Sequence, residues 1–174
     1  MVGAATQAPS PVLPSPQQAP GHGDQPQYGS FGQQAASIQA LTSVGSDLLY
    51  AGSFGLGLFR SEDRGINWAK SGQGVTDPFI LTLTTGKDGA IYAGTFRGGV
   101  FRSRDRGKSW QAINSGLKRL EIKALLAVSD GVYAGTSDGV YRLAADRWSV
   151  VSTGLDDILV HALALSSDGT LFAG

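Results

Sequence analysis

Two octapeptides concentrate the residue types that do chemistry. Ser61-Glu62-Asp63-Arg64-Gly65-Ile66-Asn67-Trp68 and Ser103-Arg104-Asp105-Arg106-Gly107-Lys108-Ser109-Trp110 share the pattern S-x-D-x-G-x-x-W. Each sets a hydroxyl and a carboxylate two residues apart, followed directly by an arginine and ending on a tryptophan. A carboxylate in such surroundings could serve as a general acid or base, and a matched pair could cleave a glycosidic bond. A second group of candidates is Phe54, Phe96, Arg97, Lys118, Arg119 and Asp156, with Asp77, Asp138 and Asp157 in the same kinds of segment. An aromatic ring beside a charge suits stacking and hydrogen bonding to a sugar or a peptide.

The elements that position these residues are repeats. Tyr/Phe-Ala-Gly triplets begin at Tyr50, Tyr92, Tyr133 and Phe172, a period of about 40 residues that falls in the range of propeller blades. Each unit holds four strand-like runs, which in the second unit are expected at 80–85, 90–94, 99–102 and 109–114. They are too short for helices, rich in β-branched and aromatic residues, and bounded by Gly, Asp and Asn. Lys87-Asp88-Gly89, Ser129-Asp130-Gly131 and Ser167-Asp168-Gly169 place Asp-Gly between the first and second runs, a hairpin signal. The expected fold is all-β, a propeller of four-stranded antiparallel blades at 38–79, 80–121 and 122–159 with a partial blade at 160–174. A prism or solenoid of four-stranded repeats is the competing architecture. Three and a half blades make an incomplete ring, since closure takes about 4–8 blades. The chain is therefore expected to be a fragment of a longer protein. Self-association of copies into one ring would bury the same open edges.

Residues 1–37 read as a disordered or extended polyproline spacer that contains His22. Six of the seven prolines lie before residue 27, and Asp24 is the sole charge among the first 46 residues. The net charge is zero, which disfavours a nucleic-acid or anionic-membrane surface. There are no cysteines, which excludes disulfides, thiolate metal sites and cysteine nucleophiles. No apolar run approaches the ~20 residues of a membrane helix, and the N-terminus lacks the features of a signal peptide. No cofactor and no metal site is expected.

The two octapeptides resemble the Asp-box, or BNR repeat, of sialidase-like, sortilin-like and xyloglucanase-like propellers, and the resemblance extends over residues 38–174. It implies that the box sits on the hairpin between the third and fourth strands, at the outer rim and away from the ligand face. On that basis Ser61, Asp63, Gly65, Trp68, Ser103, Asp105, Gly107 and Trp110 are structural, and no residue is assigned a catalytic role. The residues themselves support this reading. Ser and Asp can close their own turn through hydrogen bonds, Gly supplies a left-handed position, and Trp buries a large flat surface.

The third unit has two fewer residues before Trp148 and keeps only the Asp and Trp types, so its hairpin is expected to be the least well stapled. The ligand face is built from loops 72–79, 114–121 and 152–159 and from loops 53–57, 95–99 and 136–139, where the second group of candidates lies. His161 falls on an inner-strand run and is read as a core or channel histidine satisfied by a backbone group. The functional expectation is a non-catalytic binding or scaffold module for a protein or glycan. A glycoside hydrolase with part of its catalytic set outside this chain is the alternative. Such a hydrolase needs a carboxylate pair, or a tyrosine with an acidic partner, and the arginine-containing F/Y-R-I-P motif of sialidases does not occur here. By resemblance alone the compartment leans extracytoplasmic.

Overall fold

The computed structural model describes residues 37–152 and 158–174. His22, Asp156 and Asp157 lie outside the described residues. The described chain is entirely strand, turn and loop. It forms three four-stranded antiparallel sheets and one two-stranded sheet, each ordered as the strands follow in sequence. The first sheet holds β1 (Ile38–Val44), β2 (Leu48–Ser53), β3 (Gly57–Ser61) and β4 (Ala69–Lys70). The second holds β5 (Ile80–Thr85), β6 (Ile91–Thr95), β7 (Val100–Ser103) and β8 (Gln111–Ala112). In the third are β9 (Ala124–Val128), β10 (Gly131–Thr136), β11 (Gly139–Ala144) and β12 (Arg147–Val150), and the last pairs β13 (Leu163–Leu165) with β14 (Leu171–Ala173). These are successive blades of an incomplete β-propeller.

The first strands of neighbouring blades lie side by side. The Thr42 and Thr85 hydroxyls are 3.0 Å apart, and Thr82 and Thr84 hydroxyl oxygens accept the Leu125 and Ala127 N–H groups at 3.2 and 3.3 Å. Between the blades run two apolar layers. One joins Leu48, Tyr50 and Leu58 to Ile80, Leu83, Phe101 and Trp110. The other joins Tyr92 and Val100 to Ile122, Leu125, Tyr141 and Trp148.

The glycine of each Tyr-Ala-Gly triplet serves this joint. A Cβ at Gly94 would stand 2.7 Å from Ile122 Cγ2, and one at Gly52 would stand 2.5 Å from Ile80 Cγ2. The glycine is the hole into which the next blade's β-branched residue fits, an isoleucine at Gly52 and Gly94 and Val160 at Gly135. Ile38 and Leu41 are the corresponding residues of the first blade. They are 36% and 67% exposed, against 0% and 8% for both Ile80 with Leu83 and Ile122 with Leu125.

One local expectation is corrected, and the lack of staples expected in the third hairpin has a compensation. The fourth strand of the second blade covers Gln111–Ala112 rather than 109–114. Its start is diverted because Ser109 N–H bonds the Asp105 carboxylate and Trp110 N–H bonds Gln73 O of the first blade. Its end is diverted because Asn114 turns its side chain back onto β7. The third hairpin does lack the box's hydroxyl-to-backbone bonds, yet it is not weakly held. Its ladder pairs four residues, Tyr141↔Val150 to Ala144↔Arg147, against two pairs in each of the other blades. Ala145 and Asp146 form a tight two-residue turn with φ of 47° and 59°, the left-handed pair that short hairpins favour.

Candidate functional site

Each box closes on itself. Ser103 hydroxyl donates to Asp105 Oδ1 at 2.8 Å and accepts the Gly107 N–H at 2.8 Å. The Asp105 carboxylate also takes Ser109 N–H at 2.9 Å on one oxygen and Ser109 hydroxyl at 2.5 Å on the other. The first box repeats the set. Ser61 binds Asp63 and Gly65 N–H, and Asn67 gives Asp63 both its backbone N–H at 2.8 Å and its side-chain amide at 2.7 Å. Bonds to the ionised form favour it. The Asn67 backbone N–H, then Ser61 hydroxyl and the Asn67 amide, hold Asp63 down at about 2. Ser109 hydroxyl and N–H, then Ser103, do the same for Asp105.

Two of the tryptophans point across the joint. Trp110 Nε1 donates to Ser71 O at 2.5 Å and Trp148 Nε1 to Ile113 O at 2.6 Å, each in the preceding blade. Trp68 donates to Gly65 O of its own box at 2.9 Å.

The loops behind the boxes assemble differently. Phe54 bridges to Phe79 through the backbone, and their rings lie 4.8 Å apart at 55°. Phe96 meets Phe54 edge-on at 6.2 Å, and the Arg97 guanidinium lies 5.0 Å from the Phe96 ring centre. Aromatic edges and a cation over a ring face are favourable arrangements. Asp77 anchors the group. This buried carboxylate accepts Phe79 N–H at 3.1 Å, Arg97 N–H at 2.6 Å and Gly98 N–H at 2.9 Å. Phe54 and Arg97 remain exposed at the surface.

The candidates thus fall into separate places. Phe54, Phe96 and Arg97 come together, with Phe79 and Asp77 added by the structure. Lys118 and Arg119 are exposed on the next loop. There, Tyr141 hydroxyl donates to Asp138 Oδ2 at 2.8 Å. Burial, with Asp138 adding to it, pushes the Tyr141 hydroxyl pKa up. His161, expected as a core or channel histidine, is instead exposed, and it is its backbone N–H that donates to Gly174 O. Among the described residues no group of three His, Asp or Glu side chains is placed to hold a metal ion. Nor is any helix among them long and apolar enough to cross a membrane. Phe79 was legible only as part of Asp77-Pro78-Phe79. Nothing in that tripeptide shows that its ring meets Phe54, 25 residues earlier in the chain.

Known proteins agree with this architecture. Residues 58–71 and 100–113 match the BNR-Asp box repeat, so the chain carries two such repeats on propeller blades. No curated protein matches the chain. Among solved structures it is similar to the extracellular domain of the hybrid two component system BT4673 from B. thetaiotaomicron. The TM-score is 0.66 at 19% identity, covering 79% of this chain and 19% of that one. It is similar to YCF48 bound to D1 peptide, with TM-score 0.58, 16% identity, and coverage of 79% and 47%. It is also similar to the computationally designed Ika4 protein, with TM-score 0.60, 16% identity, and coverage of 85% and 96%. This chain therefore spans about a fifth of the first structure and about half of the second.

Proposed function

We propose that this chain is a non-catalytic binding module whose ligand edge is formed by Phe54, Phe96 and Arg97 and which takes a protein or glycan partner. One observation carries the reading: an exposed ring, Phe54, a half-buried ring, Phe96, and a cation are held in fixed mutual geometry by a buried carboxylate whose own oxygens are consumed by backbone N–H groups. Pre-organised aromatic and Arg surfaces are what binding sites use, because little side-chain entropy is lost on contact. The structure of YCF48 with D1 peptide supports a peptide as one such partner. Lys118 and Arg119, exposed on the next loop, are proposed to extend the edge.

The hydrolase alternative is less well supported. Asp63 and Asp105 are tied into their turns, and Tyr141, paired with Asp138, is 1% exposed. Exposed Ile38 and Leu41 support a further blade covering that face, from a longer chain or a second copy. The extracellular source of one similar structure supports an extracytoplasmic setting.

The test is binding on glycan and peptide arrays by the full chain, compared with Phe96→Ala combined with Arg97→Ala. Loss of signal by about tenfold or more is expected for two hot-spot residues. Binding unchanged in the double variant removes this edge from the site, and turnover of an aryl sialoside or xyloglucan overturns the non-catalytic reading.

A further inference from the structure

A cavity of about 720 Å³ opens between the outer strands of the first blade and the second box. Its lining includes Arg60, Lys70 and Lys108, and none of its lining residues is acidic. Arg60 is partly engaged, by Glu62 at 3.1 Å and by Arg106 O at 2.9 Å. Among the described residues Lys70 and Lys108 form no ion pair.

The blades differ at the position four residues after their tryptophan. In the second blade this is Asn114, whose Oδ1 accepts Val100 N–H at 2.8 Å. In the third it is Ser152, whose Oγ accepts Val140 N–H at 2.9 Å. In the first it is Gly72, which has no side chain to offer. The register is the same in all three: Ser71 N–H donates to Leu58 O as Ile113 does to Val100 O and Val151 to Val140 O. Alternation along an antiparallel strand therefore turns Leu58 N–H toward Gly72. A Cβ placed on Gly72 would stand 3.9 Å from Leu58 N, an ordinary contact distance, and both residues line the cavity. The space that a side-chain oxygen fills in two blades is open in the other.

We propose that this cavity binds a carboxylate-bearing ligand with an apolar body. One carboxylate oxygen accepts Leu58 N–H where Asn114 Oδ1 and Ser152 Oγ sit in the sibling blades. A planar carboxylate matches the carboxamide of Asn114 in shape, and its charge is met by Lys70 and Lys108. The apolar body lies against Val75 and Pro78. The carboxylate comes either from an acidic side chain of a peptide or from a free organic acid. This site goes beyond the aromatic edge proposed above, and it does not include Phe96 or Arg97.

The experiment is an NMR titration of the full chain with two probes, hexanoate and an acetylated, amidated Leu-Glu-Leu tripeptide, following the Leu58 amide. A saturable shift of Leu58 with the tripeptide alone identifies a peptide segment as the ligand class. A saturable shift with hexanoate assigns the site to free acids. Gly72→Asn supplies the oxygen from within and is expected to weaken binding by more than about tenfold, as loss of a charge-assisted hydrogen bond does. Lys70→Ala and Lys108→Ala should each weaken it about two- to five-fold, less at high salt. Phe96→Ala with Arg97→Ala should leave it unchanged, which separates this site from the aromatic edge. No saturable shift at Leu58 with either probe, or a folded Gly72→Asn that binds as the parent does, overturns the proposal.

Discussion

In the second blade the hairpin between β7 and β8 pairs two residues across its ladder, and Ser103 and Asp105 hold the remaining turn. In the third blade the hairpin between β11 and β12 has no such side chains, and it pairs four residues around a two-residue turn. Both hairpins deliver a buried tryptophan whose indole N–H reaches a carbonyl of the preceding blade. Side-chain closure of a long turn and backbone closure of a short one are therefore two solutions to one problem, placing the indole at the joint. The difference surfaces in Asp146. Freed from its own turn, it bonds Arg102 of the second blade, whereas Asp105 is spent on its own backbone.

The largest expected effect tests whether the two joints are equal. Trp110→Ala and Trp148→Ala should each lower stability by about 3–5 kcal/mol in urea denaturation, the cost of emptying a large aromatic site. Values differing by more than that range would show that the hairpins do not place equivalent anchors. A smaller effect distinguishes the closures. Ser103→Ala removes a buried hydroxyl and leaves Gly107 N–H without its acceptor, so a loss of about 1–2 kcal/mol is expected by the same measurement. No residue of the third hairpin is available for the equivalent change. There the sensitive point is the left-handed backbone at Ala145, and Ala145→Asn should raise stability by about 0.5–1 kcal/mol because Asn tolerates that conformation.

Acid should separate the hairpins most finely. Asp63 and Asp105, held at about 2 against an ordinary value near 4, contribute fully above about pH 4 and lose their contribution as pH falls toward 2. The Arg102 partner lowers Asp146 in the same direction, but the backbone ladder of β11 and β12 does not titrate. NMR of Gly107 and Ser109 amides should therefore report opening in this window while the β12 amides keep their shifts. Simultaneous loss in both hairpins would show that the box carboxylates matter no more than the ladder.

Much of the fold was legible because its signals are local. Alternation, Asp-Gly turns and the recurring triplet lie within a few residues of one another, and the box serine and aspartate bond groups no more than four residues away. The candidate site was legible only in part. Phe54, Phe96 and Arg97 stood out as exposed loop types, but Asp77 acts on residues 20 and 21 positions away. The fourth strand was read too long because Trp110 N–H is taken by Gln73 of another blade, a competitor that strand propensity does not register.

By itself, the sequence determined the blade: four short strands, the tight turns between them and the self-closing box, all governed by neighbours along the chain. Only the tertiary structure decided what lies between blades. There, Trp110 reaches Ser71 across 39 residues, Asp77 fixes an aromatic edge, and Gly72 leaves a space that Asn114 and Ser152 fill elsewhere. The physical reason is that a hydrogen bond or a cavity belongs to surfaces brought together by packing, and a missing side chain carries meaning only once its counterparts are superposed.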